Sequence, residues 1–390
     1  PLPPFLKSRS TRKKPLKKLS SMVVEILRLG IYQIIYMDKV PESAAVNESV
    51  KLAKKLTRGL SGFVNAILRS VIREQDSIGV EDLASNDIEV ISFIYNIPLW
   101  LIDLWMGEFG RDKTEDLCAW FNQQPKLTAR INTILIDIPQ CLTLLKEQGW
   151  DVSQDSNYKD IIYINSHRGS LEKSDAVIKG YITFMDKASM LVARLVNPQP
   201  GERVLDCCAA PGGKSMYMAA LMDNTGSLMS CDIHEHKIAL MESNAQRLGI
   251  SIVQTKVQDA TELPSAWKSY FDRVLVDVPC SGLGILQKKL DMRWRKDEST
   301  LSELPPLQLA ILERAAMTVK EKGYLVYSTC TLNYKENEDV VEAFLQKHKE
   351  FSIVPVGTDF PLKSNNGMIT TYPPTDDMDG FFMVKMQRIS

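Results

Sequence analysis

The sequence has little of what builds a metal centre or a disulfide framework. Its 390 residues include only four His, and its seven Cys contain no Cys-x-x-Cys pair. An odd number of cysteines, two of them adjacent at Cys207 and Cys208, suits neither a set of disulfides nor a zinc site. We therefore expect free thiols in a reducing compartment, the cytoplasm, and no bound metal.

The sequence also lacks long hydrophobic runs and a strong overall charge. Its most apolar segment, residues 91–106, is interrupted by Asn96, Pro98 and Asp103 and is shorter than a membrane-spanning helix. We expect no membrane partner. The formal net charge of -1 gives no general reason to expect nucleic acid, and 44% hydrophobic residues provide for an ample core.

Basic residues are nevertheless concentrated in two stretches. Residues 1–20 contain seven Lys/Arg and no acidic residue, and residues 51–73 contain six Lys/Arg and no acidic residue. Charge alone does not distinguish a solvated helix face from a surface that contacts phosphate groups. Both interpretations stay open at this point.

The spacing of apolar residues predicts a helical beginning and an α/β remainder. A helical repeat covers residues 20–75 and continues over residues 76–120. Within the small α/β pattern that follows, we predict strands at 128–136 and 161–164 and a helix at 140–148. We place the domains accordingly at residues 1–75, 76–125, 126–185 and 186–390.

After Pro200, short apolar runs alternate with helical stretches, a pattern that is typical of a doubly wound parallel sheet. A long helix is predicted at about 307–320. The final apolar run, residues 380–385, predicts an antiparallel strand at the edge of the sheet. The predicted parallel strands are residues 203–206, 227–232, 252–257, 273–278 and 324–328.

The first strand of this sheet leads into a Gly-rich turn, residues 206–214 (DCCAAPGGK). A turn of this kind between a strand and a helix forms a ligand site at the carboxyl end of the sheet. A phosphate-binding P-loop would need Gly where Cys208 stands, and the dinucleotide fingerprint G-x-G-x-x-G is absent. A nucleoside without a pyrophosphate fits the turn better.

Acidic residues follow the next strands at the same edge. Asp232 ends the second strand, where a carboxylate can accept hydrogen bonds from both ribose hydroxyls. Asp259 follows the third strand and can accept from an adenine amino group, and Asp277 ends the fourth. One such Asp is more often a turn or helix cap, but three of them beside a Gly-rich turn predict a class I S-adenosylmethionine site.

Two cysteines come just past the ends of parallel strands, where ligands bind. Cys280 lies in residues 277–282 (DVPCSG), and Cys330 lies in residues 327–331 (YSTCT). A lone Cys is usually a small buried hydrophobe. C5 of cytosine becomes nucleophilic only after a group such as a thiolate adds to C6, and a second group must then help to remove the C5 proton. Two cysteines at this edge match the needs of cytosine C5 methylation.

Together, residues 207–214, 277–282 and 328–331 resemble the RNA 5-methylcytosine methyltransferase family that includes the bacterial RsmB/Sun and eukaryotic NSUN enzymes. The resemblance implies a C-terminal α/β Rossmann-like class I methyltransferase domain that binds S-adenosyl-L-methionine. It covers residues 180–390 most closely.

The N-terminal stretches 29–33, 40–48 and 61–69 resemble the NusB-like helical RNA-binding domain that is fused to the bacterial enzymes of this family. The implied architecture is multi-domain: an all-α NusB-like N-terminal domain, a small α/β (RRM-like) middle domain and the methyltransferase domain. We expect several dozen residues of the usual NusB-like domain to precede Pro1.

The resemblance also implies roles in catalysis and cofactor binding. In this family the Cys that corresponds to Cys330 is the covalent nucleophile, and the Cys that corresponds to Cys280 assists product release. Asp277 and Lys214 are implied to hold the target cytosine at its polar edge. The implied cofactor-binding residues are Cys208, Ala209, Ala210, Pro211, Gly212, Gly213, Lys214, Asp232, Asp259 and Asp277.

RNA contacts are implied for Arg130, in an Arg-x-Asn strand, and for a basic loop. This loop departs from the family, because residues 287–291 (QKKLD) stand where Arg-Arg-His-Pro-Asp is common. Val278 likewise replaces the usual Ala of the Pro-Cys motif. The implied RNA-binding residues of the loop are Lys288, Arg293 and Arg295.

We therefore expect S-adenosylmethionine-dependent methylation of C5 of a specific cytosine in 16S ribosomal RNA. The substrate would be naked or partly assembled RNA, because the base must be flipped from its stack, and the enzyme a monomer. A transfer-RNA cytosine-5 methyltransferase and a non-catalytic RNA-binding assembly factor remain alternatives. The basic stretches would contact phosphate, so that binding weakens as salt rises.

Overall fold

The computed structural model describes residues 19–74 and 87–389. The chain divides into two compact units, Pro1–Gly107 and Glu108–Ser390. Two predicted features lie largely or partly outside the described residues. These are the basic stretch of residues 1–20, of which residues 1–18 are not described, and the helical pattern of residues 76–120, of which residues 76–86 are not described.

The first unit begins with three helices, α1 (Ser21–Tyr36), α2 (Glu42–Leu56) and α3 (Ser61–Glu74). Their apolar faces meet in one buried cluster. Helices α1 and α2 approach closely at Gly30, where a Cβ atom would lie 2.7 Å from the hydroxyl of Ser49. The helical prediction for this part of the chain is confirmed.

Two shorter helices follow, α4 (Asp87–Tyr95) and α5 (Leu99–Phe109). Trp105 is fully buried. Across residues 19–74 and 87–389, no single helix has the length and hydropathy of a membrane span. Helices α4 and α5 are long and apolar enough only when they are taken together, and the chain bends by 116° between them.

A small antiparallel sheet with strand order β2-β3-β1-β4 begins the α/β part of the second unit. It surrounds its own apolar core, which includes Trp150 and Ile162. The elements are α6 (Arg111–Phe121), β1 (Leu127–Ile131), α7 (Ile138–Glu147), β2 (Asp151–Gln154), β3 (Ile161–Ser166), α8 (Asp175–Ile178) and β4 (Ile182–Phe184).

The strand predicted at 128–136 is wrong beyond Ile131. The chain turns at Asn132, whose backbone carbonyl accepts from the N–H groups of Leu135 and Ile136. The buried amide of Asn132 donates to the carbonyls of Gly180 (3.0 Å) and Leu248 (2.9 Å). These long-range hydrogen bonds fix the turn, and an alternation of apolar residues does not reveal them.

The C-terminal part is an eight-stranded sheet with helices packed against it. The strands are β5 (Arg203–Asp206), β6 (Ser227–Asp232), β7 (Val253–Val257), β8 (Phe271–Asp277), β9 (Val319–Thr329), β10 (Phe351–Ile353), β11 (Met368–Thr370) and β12 (Phe382–Arg388). The helices are α9 (Lys187–Val196), α10 (Gly213–Leu221), α11 (Glu235–Arg247), α12 (Met292–Arg295), α13 (Thr300–Ala316), α14 (Glu338–Lys347) and α15 (Pro373–Asp376).

The strand order is β10-β12-β9-β8-β5-β6-β7, with β11 paired to β12. Strands β5 to β9 are parallel, and β12 runs antiparallel to β9, so the sheet is mixed. The predicted direction of the last strand is confirmed, but its predicted edge position is wrong. β12 pairs with β9 on one side and with β10 on the other. Phe382, Met383 and Val384 are all buried, as expected for a strand that is covered on both faces.

The helix predicted at 307–320 lies earlier in the chain. Helix α13 already begins at Thr300 and contains Pro305 and Pro306. It ends at Ala316, and the hydroxyl of Thr318 donates to the carbonyl of Ala315 at this end (2.7 Å). The following apolar residues belong to β9, which is longer than predicted.

Alternate residues of the central strands enter two separate apolar clusters. Val204 and Leu275 belong to one cluster, and their neighbours Leu205 and Val274 belong to the other. Since successive side chains of a strand point to opposite faces, the clusters lie on the two sides of the sheet. The sheet is thus fixed from both sides, and the carboxyl ends of its parallel strands meet at one edge.

Candidate active site

The Gly-rich turn connects the end of β5 to the start of α10. Asp206 is buried, and its carboxylate accepts from the hydroxyl of Ser215 on α10 (2.6 Å). Burial raises the pKa of Asp206 from 3.8 to about 7. At Gly212 φ is +98°, and a Cβ atom there would lie 3.1 Å from the side chain of Met241. The turn therefore requires Gly at this position, because of both its positive φ and its close approach to Met241.

Two of the predicted acidic residues lie at the ends of the next strands. Asp232 Oδ1 accepts from the N–H of His234 (3.0 Å), whereas Asp232 Oδ2 has no hydrogen-bond partner among the described residues. Asp259 Oδ1 accepts from the N–H (2.8 Å) and hydroxyl (2.7 Å) of Thr261, and these hydrogen bonds lower the pKa of Asp259. Each carboxylate keeps one oxygen free of these bonds. These acceptors fit S-adenosylmethionine, whose ribose hydroxyls and adenine amino group are donors.

Lys214, Asp277 and Ser328 form a hydrogen-bonded chain beside the turn. Lys214 Nζ donates to Asp277 Oδ2 (2.7 Å), and Ser328 Oγ donates to Asp277 Oδ1 (2.7 Å). Burial opposes the charge of Lys214, but the attraction of Asp277 outweighs it, so that the pKa of Lys214 is raised. Lys214 is therefore an ammonium group, with N–H donors beyond the one that it gives to Asp277.

The two predicted catalytic cysteines are in contact. The Sγ atoms of Cys280 and Cys330 are 3.2 Å apart, and the N–H of Cys330 lies 3.3 Å from Cys280 Sγ. Both residues are partly exposed. The hydrogen bond with Cys330, followed by burial, raises the pKa of Cys280 well above its usual value. Cys280 therefore keeps its proton at neutral pH, and its thiol can donate to the sulfur of Cys330.

Two polar residues behind these cysteines, Glu336 and Gln308, are fully buried. Neither was predicted from the sequence as a site residue. Glu336 Oε2 accepts from the N–H of Ser281 (2.8 Å) and from Gln308 Nε2 (2.8 Å). Glu336 Oε1 accepts from the amide of Asn333 (2.9 Å). The only sequence signal for this network is the run of polar residues at 333–338, shortly after Cys330.

The RNA contacts predicted for Arg130 and Arg293 are wrong in this structure, because their side chains are not at the surface. Arg130 is 0% exposed and Arg293 is 4% exposed. The Arg130 guanidinium lies over the ring of Tyr217 (5.2 Å to the centroid). Arg293 donates to the side chain of Asn122 (2.8 Å), just after α6. Both arginines connect elements of the fold, which residue type alone does not indicate.

The other predicted RNA-binding residues are accessible. The Arg295 side chain is 78% exposed and pairs with Asp291 (3.3 Å). Lys288 is 30% exposed and pairs with Asp186 and with Asp379. For both residues, contact with RNA stays a prediction.

Metal binding finds no support in the described part of the chain. Within residues 19–74 and 87–389, no group of three or more His, Cys, Asp or Glu side chains is arranged to hold a metal ion. The site consists of carboxylate acceptors, an ammonium group and a thiol pair at the carboxyl ends of the parallel strands.

Three family models match successive parts of the chain. The NusB family matches residues 5–73, the ferredoxin-like domain of RsmF/B-like methyltransferases matches residues 97–169, and 16S rRNA methyltransferase RsmB/F matches residues 193–387. Their order agrees with the three kinds of structure implied by the sequence.

Curated relatives match this chain over most of its length. The "Probable ribosomal RNA small subunit methyltransferase B" of Bacillus subtilis is 35% identical over 95% of this chain and 84% of its own length. The ribosomal RNA small subunit methyltransferase B of Yersinia enterocolitica is 30% identical over 93% of this chain and 81% of its own length.

Solved structures agree with the architecture. The crystal structure of PH0851 superposes with a TM-score of 0.80 at 27% identity and covers 93% of this chain and 82% of that chain. NSun6 from Pyrococcus horikoshii with SFG superposes with a TM-score of 0.69 at 21% identity, over 75% of this chain and 98% of that chain, which shows a shared fold. From the family models and the curated relatives together, the chain belongs to the 16S rRNA methyltransferase RsmB/F family.

Proposed function

We propose that this protein methylates C5 of a specific cytosine in 16S ribosomal RNA, with S-adenosylmethionine as the methyl donor. The observation that carries the chemistry is the contact of Cys280 and Cys330, 3.2 Å apart beside the Lys214–Asp277 pair. Methylation at C5 of a pyrimidine needs a nucleophile for C6 and a second group that helps to remove the C5 proton, and the two thiols supply this pair. The substrate assignment is supported by the family and by the names of the curated relatives, and a ribosomal RNA substrate implies a cytoplasmic location.

The cofactor would lie against the Gly-rich turn of residues 208–214. The free oxygen of Asp232 would accept from its ribose, and the free oxygen of Asp259 would accept from its adenine amino group. Asp277 would lie beside the cofactor, where it accepts a hydrogen bond from Lys214. When it is bound, the cofactor supplies an electrophilic methyl group on a sulfonium.

Cys330 is the nucleophile in this proposal. Its thiolate forms a bond to C6 of the cytosine, which moves electron density to C5 and makes that carbon nucleophilic. A remaining N–H of Lys214 donates to the polar edge of the ring and stabilises the negative charge that attack creates. Asp277 keeps Lys214 charged and in place.

Cys280 assists the second half of the reaction. After methylation, C5 must lose its proton before the bond between Cys330 and C6 can break. A group whose pKa is raised binds a proton tightly, and Cys280 is such a group within 3.2 Å of the nucleophilic sulfur. The partly exposed thiol of Cys280 first gives its proton to solvent, and the thiolate so formed takes the C5 proton as the bond between Cys330 and C6 breaks, which restores the cytosine ring and the Cys330 thiolate.

RNA would also contact basic side chains away from the thiols. All six Lys/Arg side chains of residues 51–73 are exposed, as is Arg295. Trp294, which is 51% exposed, lies in the same short helix as Arg295 and offers a ring for stacking. Phosphate contacts of this kind predict a steep loss of RNA affinity with rising salt.

The deciding experiment is base-resolution mapping of 5-methylcytosine. The protein and S-adenosylmethionine are incubated with unmodified 16S ribosomal RNA and transfer RNA in one reaction, with Cys330→Ala as the matched control. One new methylcytosine in the 16S RNA, absent with the control, is the expected result.

Other outcomes would correct specific parts of the proposal. A mark only in transfer RNA would keep the chemistry but replace the substrate. The absence of any mark, together with no rise in the melting temperature on addition of S-adenosylmethionine, would favour the non-catalytic assembly factor.

A further inference from the structure

We propose that Glu336 is a positioning residue that sets the contact between the two catalytic thiols, an inference that rests on the function proposed above. Glu336 touches neither sulfur. It is a fully buried carboxylate whose two oxygens accept three hydrogen bonds, from Ser281, Gln308 and Asn333. These donors come from the segments that carry Cys280 and Cys330 and from the helix between them in sequence.

The loop of Cys280 is tethered on both sides of that residue. The N–H of Ser281 donates to Glu336 Oε2 (2.8 Å), and Gln308 Nε2 donates both to the carbonyl of Pro279 (3.0 Å) and to Glu336 Oε2 (2.8 Å). The peptide groups that flank Cys280 thus end on one carboxylate and its amide partner. Two further contacts hold this loop: Lys296 Nζ donates to the carbonyl of Cys280 (3.3 Å), and the hydroxyls of Ser281 and Thr331 are 2.7 Å apart.

The same carboxylate is fixed to the segment of Cys330. Its own backbone carbonyl accepts from the hydroxyl of Tyr327 on β9 (2.6 Å), three residues before Cys330. Its side chain accepts from Asn333, three residues after Cys330. Glu336 therefore connects β9 to the loop of Cys280 by hydrogen bonds. These bonds hold the two sulfurs in contact.

An ionised carboxylate suits this position because it presents acceptors only. The charge-assisted hydrogen bonds that it receives are stronger than those of a neutral amide. In Glu336→Gln, the amide NH₂ group would face at least one N–H donor, so one tether is lost and one donor is left buried without a partner. A displacement of about 1 Å at a reacting group can cost about 100-fold in rate.

The test separates attack on C6 from release. RNA with 5-fluorocytosine at the target forms an adduct that persists after methyl transfer, because fluorine does not leave as a proton does, so it reports attack and methyl transfer without release. With ordinary RNA, a covalent adduct that survives denaturation accumulates only when release is slow. The control is Glu338→Gln, since Glu338 lies two residues away and its nearest hydrogen-bond partner is Thr370 (3.5 Å).

For Glu336→Gln we expect an adduct with 5-fluorocytosine RNA at nearly the wild-type rate and a marked accumulation of adduct with ordinary RNA. Turnover should fall about 100-fold, while the dissociation constant for S-adenosylmethionine stays unchanged. Glu338→Gln should resemble wild type in all four measurements. Equal losses of attack, turnover and cofactor binding would show a merely structural role and overturn the inference.

A second variant covers the case in which Glu336→Gln does not fold. Gln308→Met keeps Glu336 and removes the hydrogen bond to the carbonyl of Pro279. This variant must also slow release, seen as adduct with ordinary RNA, more than it slows adduct formation with 5-fluorocytosine RNA. If Cys280→Ala traps an adduct with ordinary RNA but neither variant does, the positioning role alone is overturned. If wild-type protein forms no adduct with 5-fluorocytosine RNA, the proposed function fails and the positioning role fails with it.

Discussion

The two cysteine loops are held in different ways, although their sulfurs touch. Cys330 comes directly after Thr329, the last residue of β9, so the strand places it, and its carbonyl also accepts from the N–H of Gly284 (3.0 Å) in the segment that follows Cys280. Cys280 comes three residues after β8, and the peptide groups beside it bind the side chains of Gln308 and Glu336. The proposed nucleophile is thus fixed by secondary structure, and the proposed release residue by buried side chains.

This difference accords with the two steps that the cysteines perform. Attack on C6 needs one sulfur in a fixed place relative to the base. Release needs a second group that reaches the adduct after the first sulfur has formed its bond. A loop held by side chains can be adjusted without altering the sheet, and the variants below test each loop separately.

The largest effect is expected from Cys330→Ala. Because no bond to C6 can form, methyl transfer should fall by roughly 10⁴-fold or more, while S-adenosylmethionine still raises the melting temperature. Transfer of labelled methyl groups to RNA and thermal shift measure the two properties. Loss of the cofactor shift as well would mean that Cys330 supports the fold instead of attacking the base.

Cys280→Ala should separate the steps. Methyl groups should still reach the RNA once per enzyme molecule, but release should become slow, because the group that takes the C5 proton is missing. A protein–RNA adduct that resists denaturation should then appear on a gel. Failure of Cys280→Ala to trap such an adduct with methylated RNA would remove the distinction between the loops.

Asp232→Ala tests the proposed cofactor side of the site, which is separate from the two cysteine loops. Loss of a charge-assisted acceptor for the ribose hydroxyls removes about 1.5–3 kcal/mol, which should raise the dissociation constant for S-adenosylmethionine about 10- to 100-fold. At saturating cofactor the turnover should return towards that of wild type. Titration calorimetry gives the affinity, and an unchanged value would mean that the cofactor lies elsewhere.

The smallest effect concerns Asp206, below both loops. Its pKa is about 7 in the folded state against 3.8 ordinarily, so the folded protein binds this proton more tightly than the unfolded chain. The contribution of Asp206 to the free energy of unfolding therefore falls as pH rises from about 4 to about 7 and then levels off. Asp206→Asn should remove this decrease. The melting temperature of the variant minus that of wild type should therefore increase from pH 5 to pH 8. Exposed Asp151→Asn is the control, and equal pH slopes in all three proteins would contradict the prediction.

Much of the candidate site could be predicted from the sequence because it follows local rules. Strands β5 and β6 end at the residues expected, and Asp206, Asp232 and Asp277 are the last residues of their strands. The Gly-rich turn and the two cysteines also lie at the predicted edge. A run of apolar residues followed by a turn shows where a strand ends, and parallel strands bring those ends together.

Other features depend on contacts between distant parts of the chain, which local patterns do not record. Arg130 and Arg293 look like surface residues in sequence but are buried, and β12 reads as an edge strand although β10 covers its outer side. The link from Ser281 to Glu336 spans 55 residues.

The sequence by itself therefore determined which chemical groups reach the edge of the sheet: an acceptor set, an ammonium group and two thiols. Only the tertiary structure decided which polar groups are buried and which partners they take. The physical reason is that most buried polar groups take a hydrogen-bond partner, and that partner is chosen by packing and not by position along the chain. The 3.2 Å contact of Cys280 and Cys330 is the outcome of both.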